Sequence, residues 1–301
     1  MSKDDFKNKA GDKSGRDSHY ATLRRNVRDA KRERGEIPTP DQRRQKSNKD
    51  WKAPQLEAEQ VFLYGLHTVR AALDNAARKR IKLSVTQNAF ARLDIGDADA
   101  LGFPVEFVSP QDIEKIVGPE AIHQGVLLET RALPVRKLDA LKESPLLLVL
   151  DQVTDPHNVG AIMRSAVAFN AGAVITTQRH SPTESGVLAK SASGALELIP
   201  YIQVTNLADA LGELHRLGFQ TIGLDSEGPA EIESTFSSER VALVLGSEGK
   251  GLRQKTRETV TSLARLDMPG AIKSLNVSNA AAIALYASRQ HLATVKSKAK
   301  T

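Results

Sequence analysis

Periodic apolar positions begin near Val61, and almost none precede it. Val69, Ala72, Leu73 and Ala76 recur at i, i+3, i+4 and i+7, which predicts one face of a helix. Ile81, Leu83 and Val85 alternate as a strand does. Ser109 before Pro110 predicts a helix start, with serine as cap and proline in the first turn. Residues 125–128 read as another strand. Together these elements predict a small α/β unit over about residues 61–131. The stretch 131–143, with Pro134 and mixed charge, reads as a linker.

From Leu146 the order becomes strand, loop, helix, repeated. Residues 146–150 are a short continuous apolar run, the pattern of a buried parallel strand. A helix is predicted over 161–169, with Gly172 as its C-terminal stop, and a second strand over 173–176. Leu207, Ala210, Leu211 and Leu214 mark a helix capped by Asn206. Residues 221–224 and 241–245 read as strands, and residues 274–293 as a long final helix. This alternation predicts a mostly parallel sheet with helices on both faces.

Composition and charge change the picture mainly at the N-terminus. The chain has 301 residues, 40% of them hydrophobic, so it can bury a core. It has no cysteine, which excludes disulfides, thiolate zinc sites and a cysteine nucleophile. The histidines are scattered, so no metal is expected. No apolar run approaches the roughly 18–20 residues that span a bilayer; no apolar core follows the first residues, against a secretory signal, and Asp4, Asp5, Asp12 and Asp17 speak against a mitochondrial transit peptide. A soluble cytoplasmic protein is expected. The net charge is +6, yet up to Lys52 there are 16 Lys and Arg against 9 Asp and Glu, and the remainder is nearly neutral. Residues 1–57 are therefore read as a disordered basic tail. Clusters such as Arg24, Arg25, Arg28, Lys31, Arg32 and Arg34 suit RNA phosphates, and a purely solubilising role is the alternative.

Ligands of open α/β sheets sit beyond the carboxyl ends of the strands, and three loops there are unusual. The first, residues 151–166, carries Asn158 where a helix begins and Arg164 six residues on. A helix start beside an arginine suits a phosphate or oxyanion. Equally, Asn158 reads as a helix cap and Arg164 as a surface ion-pair partner. The second loop is Leu245-Gly246-Ser247-Glu248-Gly249-Lys250-Gly251-Leu252. Three glycines in six residues let the backbone approach a ligand. The loop lacks the Gly-Lys-Ser/Thr ending of a phosphate-binding loop, and a tight turn is the alternative. The third, residues 266–279, places Ser274, Asn276 and Ser278 at the start of the final helix. That is more than one cap requires.

In this order, the three segments resemble the signature motifs of the SpoU (TrmH) family of RNA 2′-O-ribose methyltransferases, in the SPOUT class. Tyr64-Gly65-Leu66-His67-Thr68-Val69 and His123-Gln124-Gly125-Val126 resemble that family's ribosomal-protein-like RNA-binding domain. The resemblance implies a C-terminal α/β domain with a parallel sheet and a trefoil knot over residues 145–295. Ahead of it would stand an RNA-binding domain at 58–132, a linker at 133–144 and the tail; residues 296–301 would be a flexible end. It implies S-adenosyl-L-methionine as methyl donor, RNA as partner and a homodimer. The donor pocket would use Gly246, Leu266, Met268 and Leu275, and the catalytic set would be Asn158, Arg164, Glu248, Ser274 and Asn276. The family usually has Ile-Pro-Met where Leu266-Asp267-Met268 stands and an apolar residue at Asn279. The implied target is a guanosine of 23S rRNA, free or in a pre-ribosomal particle. A tRNA guanosine 2′-O-methyltransferase and a non-catalytic RNA-binding assembly factor are the alternatives.

Overall fold

The computed structural model describes residues 59–134, 136, 138–141 and 144–298, together with Arg34. The predicted tail of residues 1–57 otherwise lies outside them.

The first sheet is four-stranded. It contains β1 (Gln60–Tyr64), β2 (Arg80–Val85), β3 (Val105–Phe107) and β4 (Val126–Arg131), ordered β1-β4-β2-β3. β4 runs antiparallel to both neighbours, and β3 is parallel to β2. Its helices are α1 (Leu66–Asp74), α2 (Gln87–Leu93) and α3 (Pro110–Val117). Val69, Ala72 and Leu73 of α1 are buried as the periodicity predicts. Ala76 is not part of that face. The helix has ended at Asp74, Asn75 turns the chain by accepting from the Ala77 N–H (3.0 Å), and Ala76 is exposed.

The second sheet has seven strands, every pair parallel, in the order β7-β6-β5-β10-β8-β11-β9. They are β5 (Leu146–Asp151), β6 (Val174–Thr177), β7 (Tyr201–Val204), β8 (Gln220–Leu224), β9 (Ala230–Glu231), β10 (Val241–Gly246) and β11 (Ser262–Arg265). The helices between them are α4 (Pro156–Ala168), α5 (Gly186–Ala192), α6 (Ala195–Leu198), α7 (Leu207–Arg216), α8 (Ile232–Thr235) and α9 (Gln254–Thr259), and α10 (Val277–Lys298) closes the order. All residues of β5 and β10 are buried. Successive side chains point to opposite faces. Leu146, Leu148 and Leu150 thus join the core under α4 and α10, while Leu147 and Val149 join the core under α7. Helices cover both faces, as expected.

The ends of α4 and α10 differ from expectation. α4 starts at Pro156, because Asp155 caps it by accepting from the His157 N–H (3.0 Å). Asn158 is therefore inside the first turn and is not the cap. Gly172 is not the stop of α4: Asn170 takes the left-handed turn (φ 55°), while a Cβ at Gly172 would lie 1.9 Å from Ser144 Oγ. α10 begins at Val277 and not at Ser274, and it continues through Lys298, into the stretch expected to be a flexible end.

The two sheets belong to one compact unit. Their buried side chains form a continuous cluster, from Leu63 and Val69 on one side to Leu188 and Ile162 on the other. Burial pushes the Lys190 ammonium of α5 below the usual lysine range. For Arg78, burial acts in the same direction, but Glu197 and Glu184 outweigh it and hold the guanidinium above its ordinary value.

Candidate active site at the carboxyl edge of the parallel sheet

Strands β5, β10, β8 and β11 are adjacent and parallel, so the loops that follow them emerge at one edge. These four loops build the site. Asp151, at the end of β5, is fully buried and accepts from the Arg253 backbone N–H (2.9 Å) and Nε (2.6 Å). This contact ties the loop after β10 to the strand beside it. The loop itself is a tight turn: Ser247 and Gly251 exchange backbone hydrogen bonds of 3.1 and 2.9 Å. A Cβ on Gly246 would lie 2.1 Å from the Gly251 carbonyl carbon and 2.3 Å from Leu252 N, so only glycine permits the turn to fold back this closely.

Three of the candidate side chains converge. Asn158 Nδ2 donates to Glu248 Oε1 (2.9 Å), and Asn276 Nδ2 donates to the same oxygen (2.9 Å) and to Asn158 Oδ1 (3.0 Å). The Val277 N–H, at the start of α10, points to that oxygen from 3.5 Å. One carboxylate oxygen thus joins three loops, next to a helix N-terminus that favours negative charge. Asn276 also caps α10, accepting from the Ser278 N–H (2.8 Å) and Oγ (2.6 Å). The alternatives of cap and functional group are not exclusive here, since its amide serves both ends.

Beside this cluster lies a cavity of about 280 Å³, close to the lower end of small-molecule sites, roughly 300 Å³. Gly246, Leu266, Met268, Leu275, Ser274 and Glu248 all line it. Lys273 Nζ donates to the Met268 carbonyl (2.6 Å) and staples the lining loop to itself. Asp267 is exposed and is not part of the wall. Asn279 is exposed too, its N–H bonded to the Asn276 carbonyl (3.0 Å).

Arg164 stands apart from the cluster. It lies in the third turn of α4, about 9 Å along the axis from Asn158 and on another face. Its side chain is exposed and makes no hydrogen bond or ion pair among the described residues. Leu224 at the end of β8, with Asp225 and Ser226 after it, also lines the cavity, and none of the three was among the candidates. Asp225 is ion-paired with Arg257. The available signal was its place just beyond a predicted strand, the same criterion that singled out the other loops. A larger cleft of about 500 Å³ lies between β1 and the α6–β7 segment, and its lining includes no residue of the three motif loops. No group of three or more His, Asp or Glu suited to a metal occurs among the described residues.

Residues 145–286 match the family model described as SpoU rRNA Methylase family. Residues 62–135 match that described as RNA 2′-O ribose methyltransferase substrate binding. A 23S rRNA (guanosine-2′-O-)-methyltransferase RlmB of Ralstonia nicotianae is 38% identical over 245 residues, covering 79% of this chain and 98% of the relative. This chain belongs to the SpoU rRNA methylase family. An RlmB of Vibrio vulnificus is 36% identical over 249 residues, 77% of this chain and 98% of its own. Among solved SpoU structures, AviRb of Streptomyces viridochromogenes in complex with AdoMet superposes with a TM-score of 0.67 at 20% identity, over 78% of this chain and 91% of AviRb. That match speaks for the fold. The AdoMet-bound rRNA methyltransferase of Sinorhizobium meliloti gives 0.64 at 25% identity, over 78% of this chain and 88% of its own. The SpoU fold thus accounts for the parallel sheet with helices on both faces.

Proposed function

We propose that this SpoU enzyme transfers a methyl group from S-adenosylmethionine to the ribose 2′-oxygen of a guanosine in 23S rRNA, in the cytoplasm. The observation that carries the reading is the junction of Asn158, Glu248 and Asn276 at the rim of the Gly246-walled cavity. The cavity fits the donor: its wall is partly apolar, from Leu266, Met268 and Leu275, and backbone approaches it closely at Gly246. These four residues would hold the donor. When bound, S-adenosylmethionine supplies an electrophilic methyl group on a sulfonium.

The chain's own task is to position and to manage charge. Holding the 2′-oxygen in line is worth up to about 7–11 kcal/mol in favourable cases. The guanidinium of Arg164 offers five N–H donors in a planar fork and no acceptor, so it serves as a donor and not as a base. Its role is to clamp an RNA phosphate and to stabilise alkoxide character on the attacking oxygen. The departing proton is lost to solvent water. Glu248 fixes the amides of Asn158 and Asn276, which orient the ribose, and Ser274 faces the cavity as a further hydrogen-bonding group. The substrate guanosine and 23S rRNA follow from the names of the relatives. The sheet of β1–β4 is the substrate-binding unit, with domain limits near 58–132 and 145–295. We place the trefoil knot in the β11–α10 segment and infer a homodimer formed along α4 and α10.

The test is a map of 2′-O-methyl positions in ribosomal RNA from cells with and without this gene. One guanosine of 23S rRNA should lose its methyl group in the deletion and regain it with the wild-type gene. An unchanged 23S map would overturn the reading.

A further inference from the structure

The β1–β4 sheet meets the methyltransferase half along α5 and α6, and charged side chains pin this seam at two places. At one, Lys190 of α5 donates to Gln124 Oε1 (2.7 Å), which also accepts from the Leu66 N–H (3.1 Å). At the other stands Arg78, in the turn between α1 and β2. Its side chain has 0% exposure, and its guanidinium is clamped by Glu184 and Glu197, themselves 12% and 1% exposed. The bonds are directional on every side. Nε donates to Glu197 Oε2 (3.2 Å), which also accepts from Asn75 Nδ2 (2.7 Å), and Nη1 donates to the Arg131 carbonyl (2.9 Å). Glu184 accepts in addition from the Leu133 N–H (2.9 Å).

The segment that these groups grip also touches the active site. A Cβ at Gly160 would lie 2.5 Å from Ser191 Cβ, so α4 and α5 pack almost backbone to backbone. His157 Nδ1, one residue before Asn158, is 3.1 Å from Ser191 Oγ. The path from the RNA-holding sheet to Asn158 therefore runs through residues 184–197.

We propose that Arg78 is a positioning residue for methyl transfer: by clamping Glu184 and Glu197 it fixes the RNA-holding sheet against α5 and α6, so that bound RNA presents its ribose to the cavity. Buried ion pairs add little stability over apolar packing, yet removing one partner strands the other in a dry site. Here the loss of one cation strands two carboxylates on the methyltransferase side of the seam, where they repel one another and lose their tie to the sheet. A fork-shaped guanidinium also sets an angle, which apolar contact alone does not.

The native chain has no cysteine, so two labels can be placed cleanly, at Ala91→Cys on α2 and Lys255→Cys on α9. Distances between spin labels on the full-length protein, S-adenosylmethionine affinity and steady-state methylation of a 23S rRNA fragment are then compared for Arg78→Ala and Arg78→Lys. Arg78→Ala should broaden the label distance, leave S-adenosylmethionine affinity within about twofold and lower kcat/KM for RNA by about a hundredfold, the effect of misplacing a reactant by about an ångström. If Arg78→Ala loses S-adenosylmethionine binding and so fails to fold, Arg78→Lys carries the same test, since lysine retains the charge but cannot bridge both glutamates. A narrow distance with lost activity, or a broad distance with wild-type kcat/KM, overturns the proposal. So does wild-type behaviour in both readouts of either folded variant. The role given to Arg78 rests on the proposed methylation of 23S rRNA: failure of the wild-type protein to methylate the fragment would fault that reading, whereas the comparison of variants with an active wild type faults only the role of Arg78.

Discussion

Glu248 places one oxygen between two asparagine amides that lie 118 residues apart in the chain. No local pattern foretells such a contact. What could be read in the sequence was that Asn158 and Glu248 follow apolar strands, where ligands of such sheets bind, and that Asn276 stands at the start of the final helix. Which of them cap helices could not be read, because Asp155 and Asn158 have nearly equal cap propensity and the choice depends on where Pro156 enters the helix. Arg164 is the residue whose role its surroundings define least, since it is exposed and has no partner among the described residues. The assigned role predicts that Arg164→Ala abolishes methyl transfer and leaves S-adenosylmethionine affinity nearly intact, as measured by isothermal titration. An equal loss of both would make Arg164 a structural residue.

Among the elements, the long apolar ones were legible and the short ones were not. β5, β10 and α7 announced themselves through continuous or periodic burial. β9 has two residues and α6 and α8 four each, too few to show a period. The turn of residues 246–251 is where element geometry decides function, because its glycine lets backbone lie against backbone. Gly246→Val should push the Gly251 carbonyl out of place and collapse the cavity wall. We expect at least about a tenfold loss of S-adenosylmethionine affinity, about 1.4 kcal/mol, with the melting temperature changed by only a few degrees. Undiminished binding and activity in this variant would move the donor pocket elsewhere.

For the molecule as a whole, the parallel order of the second sheet followed from the alternation of strands and helices, but its strand order did not. The neighbours of β10 are β8, two strands earlier, and β5, far before it in the chain, and such long-range pairing leaves no trace in local periodicity. Part of the apolar surface left outside the core lies on α10, where Ile283 is 45% and Tyr286 55% exposed, with the Tyr286 ring edge-on to Phe169 at the end of α4. A second copy covering this face would lie beside the end of α4 as well. Light scattering at micromolar concentration should give twice the mass of one chain, and Tyr286→Glu should shift it toward one. A fully active wild-type monomer would contradict the dimer.

The central claim is that the ribose 2′-oxygen accepts the methyl group. It is tested most directly with purified protein, S-adenosylmethionine labelled in its methyl group, and two 23S rRNA fragments that differ only at the target guanosine. One carries the ribose and the other a 2′-deoxyribose. The account predicts label in the first fragment, recovered as 2′-O-methylguanosine after digestion to nucleosides, and none in the second. Equal labelling of both, or label recovered on the base, would contradict it.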